Sequence, residues 1–342
     1  MKNFILLSAV FALSRIALFA QVPGNFSFKQ SFKVSTPAEM SIATNDGFIK
    51  AYGKEINEIQ VFFIVKKNDK VIDMDLNELK DHLDVDISSS GSNLEIIIKQ
   101  RESNWIKNWK DRYYVSMQIL APKETECMLK TSDGDIEMVG FSGDQNCKTS
   151  DGDIDVEDID GDLQAKTSDG NIDVINTIGS VQLQTSDGDI NVEKIKGDAT
   201  VKTSDGKIAM RNINGDVNAV TSDGNILLID VIGVNTARTS DGNVNFEHLK
   251  GGLTAQTSDG NISGTFDNLD HSLLLKTSDG NISVTVPDGL GMDLTLRGED
   301  INMRLEDFSG ETSDHKIEGT IRGGGVDVEL VTSDGDIDLD YN

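Results

Sequence analysis

From Thr131 onward apolar residues fall in fixed columns. Five residues after a recurring threonine stand Ile136, Ile154, Ile172, Ile190, Ile208, Ile226, Val244 and Ile262, and two residues later Met138, Val156, Val174, Val192, Met210, Leu228 and Phe246. A spacing of two in β-branched and aliphatic residues marks a strand with one buried face. Four and two residues before the threonine the alternation recurs, in Leu163/Ala165, Val181/Leu183, Ala199/Val201 and Val217/Ala219. Between the strands lies Ser-Asp-Gly-Asp/Asn, and Gly143, Gly161, Gly179, Gly197, Gly215, Gly233 and Gly251 close the other end. Asp-Gly suits a turn, since glycine tolerates positive φ and aspartate bonds nearby N–H groups. Ile159, Ile195 and Ile213 supply a third apolar contact.

The tetrapeptide Thr-Ser-Asp-Gly occurs ten times, and the copies from Thr131 to Thr257 follow one another every 18 residues. Asp-Gly between strands also reads as a hairpin. Identical repeats place like residues in columns only if each turn of chain climbs onto the last, so the period favours stacked units. The expected fold is all-β, a parallel β-solenoid of about 18 residues per coil, right-handed by analogy with crossover connections, about 12 coils and on the order of 60 Å long. The next interval is 20 residues. After about residue 285 the pattern decays: segments at Leu296 and Thr312 read as worn copies, and Thr332 opens the last copy. That copy would form the final edge, with Asp336, Asp338 and Asp340 discouraging further pairing.

Residues 1–20 read as a signal peptide, with Lys2, an apolar run from Phe4 to Phe19 and Ala20 before the cut. No later stretch is long and apolar enough to span a bilayer. Residues 21–125 contain Thr44–Gly47 as an early copy of the turn, apolar strands and a short helix near Leu76. They either begin and cap the same sheet system or form a separate small β domain. The solenoid proper is expected over 126–342.

The signal peptide, the strand "VSMQILAP" and rungs such as "LKTSDGDIEM" together resemble the bacterial putative-adhesin family of envelope β-solenoids. The resemblance spans about residues 27–342. It implies a parallel β-solenoid, export to the periplasm, outer surface or medium, and no established enzymology.

Charge narrows the partners. The chain carries −27; without Lys2 and Arg15 the remaining 29 basic against 58 acidic residues give −29. That disfavours nucleic acid and anionic membrane surfaces. Asp133, Asp151, Asp169, Asp187, Asp205, Asp223, Asp241, Asp259 and Asp279 form a column. Neighbours one rung apart repel by about 0.9 kcal/mol in water. Calcium between coils would answer this, as would hydrogen bonds from turn N–H groups. The calcium β-roll repeat needs Gly-Gly-x-Gly-x-Asp, which this array lacks. Cys127 and Cys147 occupy core-facing positions and either pair or pack as thiols.

Four scattered histidines, His82, His248, His271 and His315, accompany no nucleophile motif, phosphate loop or zinc spacing. Catalysis on acidic polysaccharides rests only on fold analogy. Trp105, Trp109, Tyr113 and Tyr114 lie among Lys99, Arg101, Lys107, Lys110 and Arg112, a mixture suited either to binding sugars or peptides or to packing an insertion. The resulting expectation is an exported, non-catalytic scaffold for a cell-surface glycan or protein. A calcium-stabilised repeat and a polysaccharide-active enzyme are the alternatives.

Overall fold

The computed structural model describes residues 23–101 and 112–342. Equal letters lie over one another. Ile154, Ile172, Ile190, Ile208, Ile226, Val244, Ile262 and Ile282 are successive parallel partners, and so on the second side of each coil are Gln145, Leu163, Val181, Ala199, Val217, Asn235, Leu253 and Leu273. The inward columns merge into one core running from Met40 to Leu339. Each fully buried valine or isoleucine in it contributes about 1.5–3 kcal/mol.

A left-handed residue explains the third apolar contact. Strict alternation along the Ile154–Asp160 strand would turn Asp158 inward. Asp158 has φ +57°, which shifts the phase and buries Ile159 instead. Asn176, Lys194, Asn212, Asp230 and His248 repeat the bend in later rungs. The 20-residue interval is absorbed at one corner: Gly251 pairs with Leu269 but Leu253 with Leu273, so the two additional residues fall between Leu269 and Leu273.

Chain order and spatial order part at both ends. Ala38–Ala43 and Ile49–Lys54, joined through Thr44–Gly47, form a rung against Thr125–Lys130 and Ile136–Val139. Asn93–Gln100 and Tyr113–Pro122 stack on the rung's other face. The excursion between them supplies antiparallel strands, Glu58–Lys67 on Tyr113–Pro122 and Leu83–Ser90 on Asn93–Gln100. It also holds the helix Leu76–His82, which buries Leu79 and starts with a capping box of Asp75 and Glu78.

At the other end the structure corrects two expectations. The last copy is no edge: Val326–Val331 lies between Ile262–Lys276 and Met292–Arg297, and Ile337–Tyr341 between Ile282–Val286 and Ile301–Met303. Asp338 therefore faces Ser283 on one side and Asn302 on the other. The segment at Thr312 is no rung: Phe308–Ser313 and Lys316–Ile321 form an antiparallel hairpin. His315 stands where the repeat has glycine, and the stacked corner has no room for a side chain there. The segment at Leu296 does form a rung, since Arg297 pairs with Val331 and Ile301 with Ile337.

Candidate functional site

The Thr-Ser-Asp-Gly corner is a closed hydrogen-bonded unit. Thr149 is buried, and its Oγ1 lies 3.0 Å from the Ser132 carbonyl and 2.9 Å from that of Gly134, while accepting the Gly152 N–H at 3.3 Å. The N–H groups of Ser150 and Asp151 both donate to the Ser132 carbonyl at 2.9 Å. The glycine is required by close approach, not by the positive φ expected from sequence; left-handed φ belongs to the other column, where Gly161, Gly179, Gly197, Gly215 and Gly233 lie between +140° and +156°. A Cβ on any corner glycine from Gly134 to Gly280 would sit 1.8 to 2.1 Å from the carbonyl oxygen of the glycine one rung before.

The aspartate columns divide the labour. Asp133, Asp151, Asp169, Asp187, Asp205, Asp223, Asp241, Asp259 and Asp279 form one row along the corner, and those from Asp151 on are followed in the fold by Asp334, whose N–H bonds to the Ser278 carbonyl. Their carboxylates take no hydrogen bond among the described residues, and solvent screens their mutual repulsion. The adjacent Asp/Asn column carries the structural bonds. Asp153 N–H donates to Asp135 Oδ1 at 3.1 Å, Asn171 to Asp153 at 2.7 Å, Asp189 to Asn171 at 2.9 Å and Asn261 to Asn243 at 2.7 Å. That is why this column admits Asp and Asn alike: both offer Oδ1. Among the described residues no group of three acidic, histidine or cysteine side chains gathers in a way that could hold a metal ion. Asp46, beneath Asp133, is set apart: burial, then the Asp133 charge, raises its carboxyl above the ordinary range.

The aromatic candidates separate. Trp105 and Trp109 lie outside the described residues. Tyr113 is engaged in packing: its ring stacks on His82 at 4.5 Å and its hydroxyl accepts from Lys67 Nζ at 3.2 Å. Tyr114 is half-buried beside it in the strand. Cys127 and Cys147 are free, buried thiols on neighbouring rungs, Cys127 paired with Gln145 and Cys147 with Leu129. His248 Nδ1 lies 3.0 Å from Asp267 and His271 Nδ1 2.8 Å from Asp270, all exposed.

A surface feature the sequence reading passed over is a trough of about 1080 Å³ along the second side of the coils. Its floor is one outward column, in which Ser41, Met128, Asn146, Gln164, Gln182 and Thr200 are successive partners. Asn146 Nδ2 donates to Gln164 Oε1 at 2.8 Å, and Gln164 Nε2 to Gln182 Oε1 at 3.2 Å. Met128 is 57% exposed. One lip carries Glu39, Glu126, Asp144, Asp162 and Asp198. Asp162 and Asp144 each hold a backbone N–H of the next rung, at 2.8 and 3.2 Å. Two residues beyond the floor runs a column of exposed cations, Lys130, Lys148, Lys166 and Lys202. The sequence signal was available in three amides at a spacing of 18, Asn146, Gln164 and Gln182.

These features define a class, the parallel β-solenoid built on stacked polar corners. Within it the chain belongs to the Toastrack family, DUF4097, whose profile matches residues 55–231 and 232–340. Among solved structures, a putative cell adhesion protein from Clostridium sporogenes ATCC 15579 is similar at 10% identity and a TM-score of 0.19, over 92% of this chain and 99% of that one. No curated protein matches the sequence.

Proposed function

We propose that the protein is exported behind the signal peptide of residues 1–20 and acts as a non-catalytic scaffold that binds a component of the cell envelope or cell surface through the trough. The trough carries this reading. It is a concavity of about 1080 Å³, and its floor repeats one polar side chain per rung from Asn146 to Thr200. A repeated floor suits an extended partner lying along the rod. Catalysis needs unlike groups converging on one point, and the trough repeats like groups along a line. Among the described residues no helix is long and apolar enough to cross a membrane.

Co-sedimentation with envelope fragments tests the reading. The mature chain should pellet saturably, and Gln164→Lys with Gln182→Lys, which fills the trough from two exposed positions, should abolish pelleting while the far-UV spectrum and melting temperature stay unchanged. Equal pelleting of wild type and variant would overturn it.

A further inference from the structure

The chemistry of the trough goes further and names a ligand class, on the assumption that the trough is the binding site. We infer that it takes an extended, uncharged, β-linked polysaccharide lying parallel to the solenoid axis.

Three observations carry this. The first is what the floor offers. An amide has two donor hydrogens and two acceptor lone pairs. The ladder from Asn146 to Gln182 uses one donor and one lone pair of Gln164. At least one N–H and one lone pair are left for solvent at each of Asn146, Gln164 and Gln182, and a sugar hydroxyl, itself donor and acceptor, matches that pair. Asp144 and Asp162 add a second acceptor per rung, since only their Oδ1 atoms are held by backbone N–H groups.

The second is the period. The floor column advances by one rung, about 4.8 Å. An extended β-linked pyranose chain advances by a similar step per sugar and turns over at each linkage, so each sugar meets one rung and alternate sugars present the same face to it. Beyond Ser41 the outward column continues to Glu95 and Ser88, so the trough crosses eight layers over roughly 34 Å.

The third is what the site refuses. A peptide could not join by strand addition, because the trough is the outer face of a sheet whose backbone groups already pair between rungs. Nor does the floor offer an aromatic or deep apolar pocket for side-chain anchors; Met128 is its one large apolar side chain, suited to the flat apolar face of a sugar. A polyanion meets the carboxylate lip, Glu95 and a chain of net charge −27, which outweigh the lysine column beside the floor.

Calorimetry on the full mature chain tests the inference, with cello-oligosaccharides and fully N-acetylated chito-oligosaccharides as uncharged probes and alginate and polylysine as charged ones. Affinity for one uncharged series should rise with oligomer length and change little with salt. Gln164→Ala with Gln182→Ala should weaken it about tenfold, the loss of one to two net hydrogen bonds. Ser168→Ala, on the corner outside the trough, should leave it unchanged. Binding of alginate or polylysine alone, no binding of either uncharged series, or uncharged binding indifferent to the double alanine variant would overturn the ligand class. The same double alanine variant in the envelope assay separates the two readings. If it loses pelleting while neither uncharged series binds wild type, the trough stands and the polysaccharide falls; if it pellets like wild type, both fall.

Discussion

The corner glycines offer the sharpest test of the stacking geometry. In Gly188→Ala the new Cβ would lie 1.9 Å from the Gly170 carbonyl oxygen. Ordinary contact begins at 3.4 Å, so the two rungs must part locally by about 1.5 Å. Four of the bonds that cross that gap lie nearest the glycine: Ser186 N–H to the Ser168 carbonyl at 2.9 Å, Asp187 N–H to the same oxygen at 3.0 Å, Thr185 Oγ1 to the Gly170 carbonyl at 2.9 Å and Asp189 N–H to Asn171 Oδ1 at 2.9 Å. Stretched by that amount none survives. At about 1 kcal/mol each the loss is about 4 kcal/mol. Alanine returns about 0.4–1 kcal/mol by restricting the unfolded chain. The net expectation is a fall of about 3 kcal/mol in unfolding free energy, read by urea titration with far-UV circular dichroism. Hydrogen exchange should localise the damage to the rungs on either side, because a solenoid transmits stress only to its neighbours. Gly24→Ala, with nothing within 4 Å of its Cβ, is the control. A Gly188→Ala variant as stable as that control would refute close approach as the reason for the glycine column.

Further expectations concern buried and titrating groups. Thr203→Val removes a hydroxyl that lies 3.0 Å from the Ser186 carbonyl and accepts the Gly206 N–H at 3.3 Å, and should cost about 1–3 kcal/mol in the same titration, with Thr203→Ser costing less. Burial raises the Cys127 thiol well above its ordinary range, with the Cys147 and Glu126 charges adding to it, and pushes Cys147 up to about 12. A thiol reagent at pH 8 should therefore find no reactive cysteine in the native chain and two after unfolding; none after unfolding would mean a disulfide. The hydrogen bond and then the charge of Asp267 raise His248 above its ordinary 6.5. The stabilisation this represents is complete below 6.5 and fades as pH rises through the folded midpoint. An NMR titration should place that midpoint above 6.5, and Asp267→Asn should lower it. Because hydroxyl and backbone groups bond each exact corner to the rung before it, chelator should leave the melting temperature unchanged; a fall of several degrees would support calcium between the coils.

The period made the rungs legible because it is enforced at every level: inward columns by burial, corners by the threonine hydroxyl and the glycine. What sequence misjudged was which property each corner residue serves. Gly152 and Gly161 are the same letter, yet the first is there because the neighbouring rung leaves no room for a side chain and the second for its positive φ as well. Asp151 and Asp153 are likewise the same letter, and only the second bonds the next rung. Such distinctions depend on what lies one rung away, which a single strand of letters does not display. The trough escaped notice for a related reason. Ser41, Met128, Asn146, Gln164, Gln182 and Thr200 share a direction but not one residue type, so outward positions read as variable surface until the parallel register lines them up.

The order of rungs was illegible for a deeper reason, and it bears on how the rod ends. Every copy presents the same inward columns and the same corner, so any copy fits against any other. A chain of interchangeable rungs has open edges that a second chain could extend. Burying charge on the last copy would not prevent this, and the structure does not rely on it. It folds the early copy at Thr44–Gly47 and the final copy at Thr332–Gly335 into interior places, with partners on both faces. The outer layers then come mostly from segments that depart from the repeat. At one end Glu58–Lys67 and Leu83–Ser90 cover the rungs antiparallel, with Phe28–Lys33 outermost on Glu58–Lys67; at the other Lys316–Ile321 covers Met292–Arg297, with Phe308–Ser313 outermost. These strands lack the repeated corner, so an incoming 18-residue rung finds no matching threonine and glycine to stack on. Loss of the repeat blunts these edges in the way short edge strands do elsewhere, and Ile301–Met303, paired on one face only among the described residues, is itself three residues long. The departures from the repeat near residues 55–122 and 290–325 are therefore functional parts of the fold: they stop the stack.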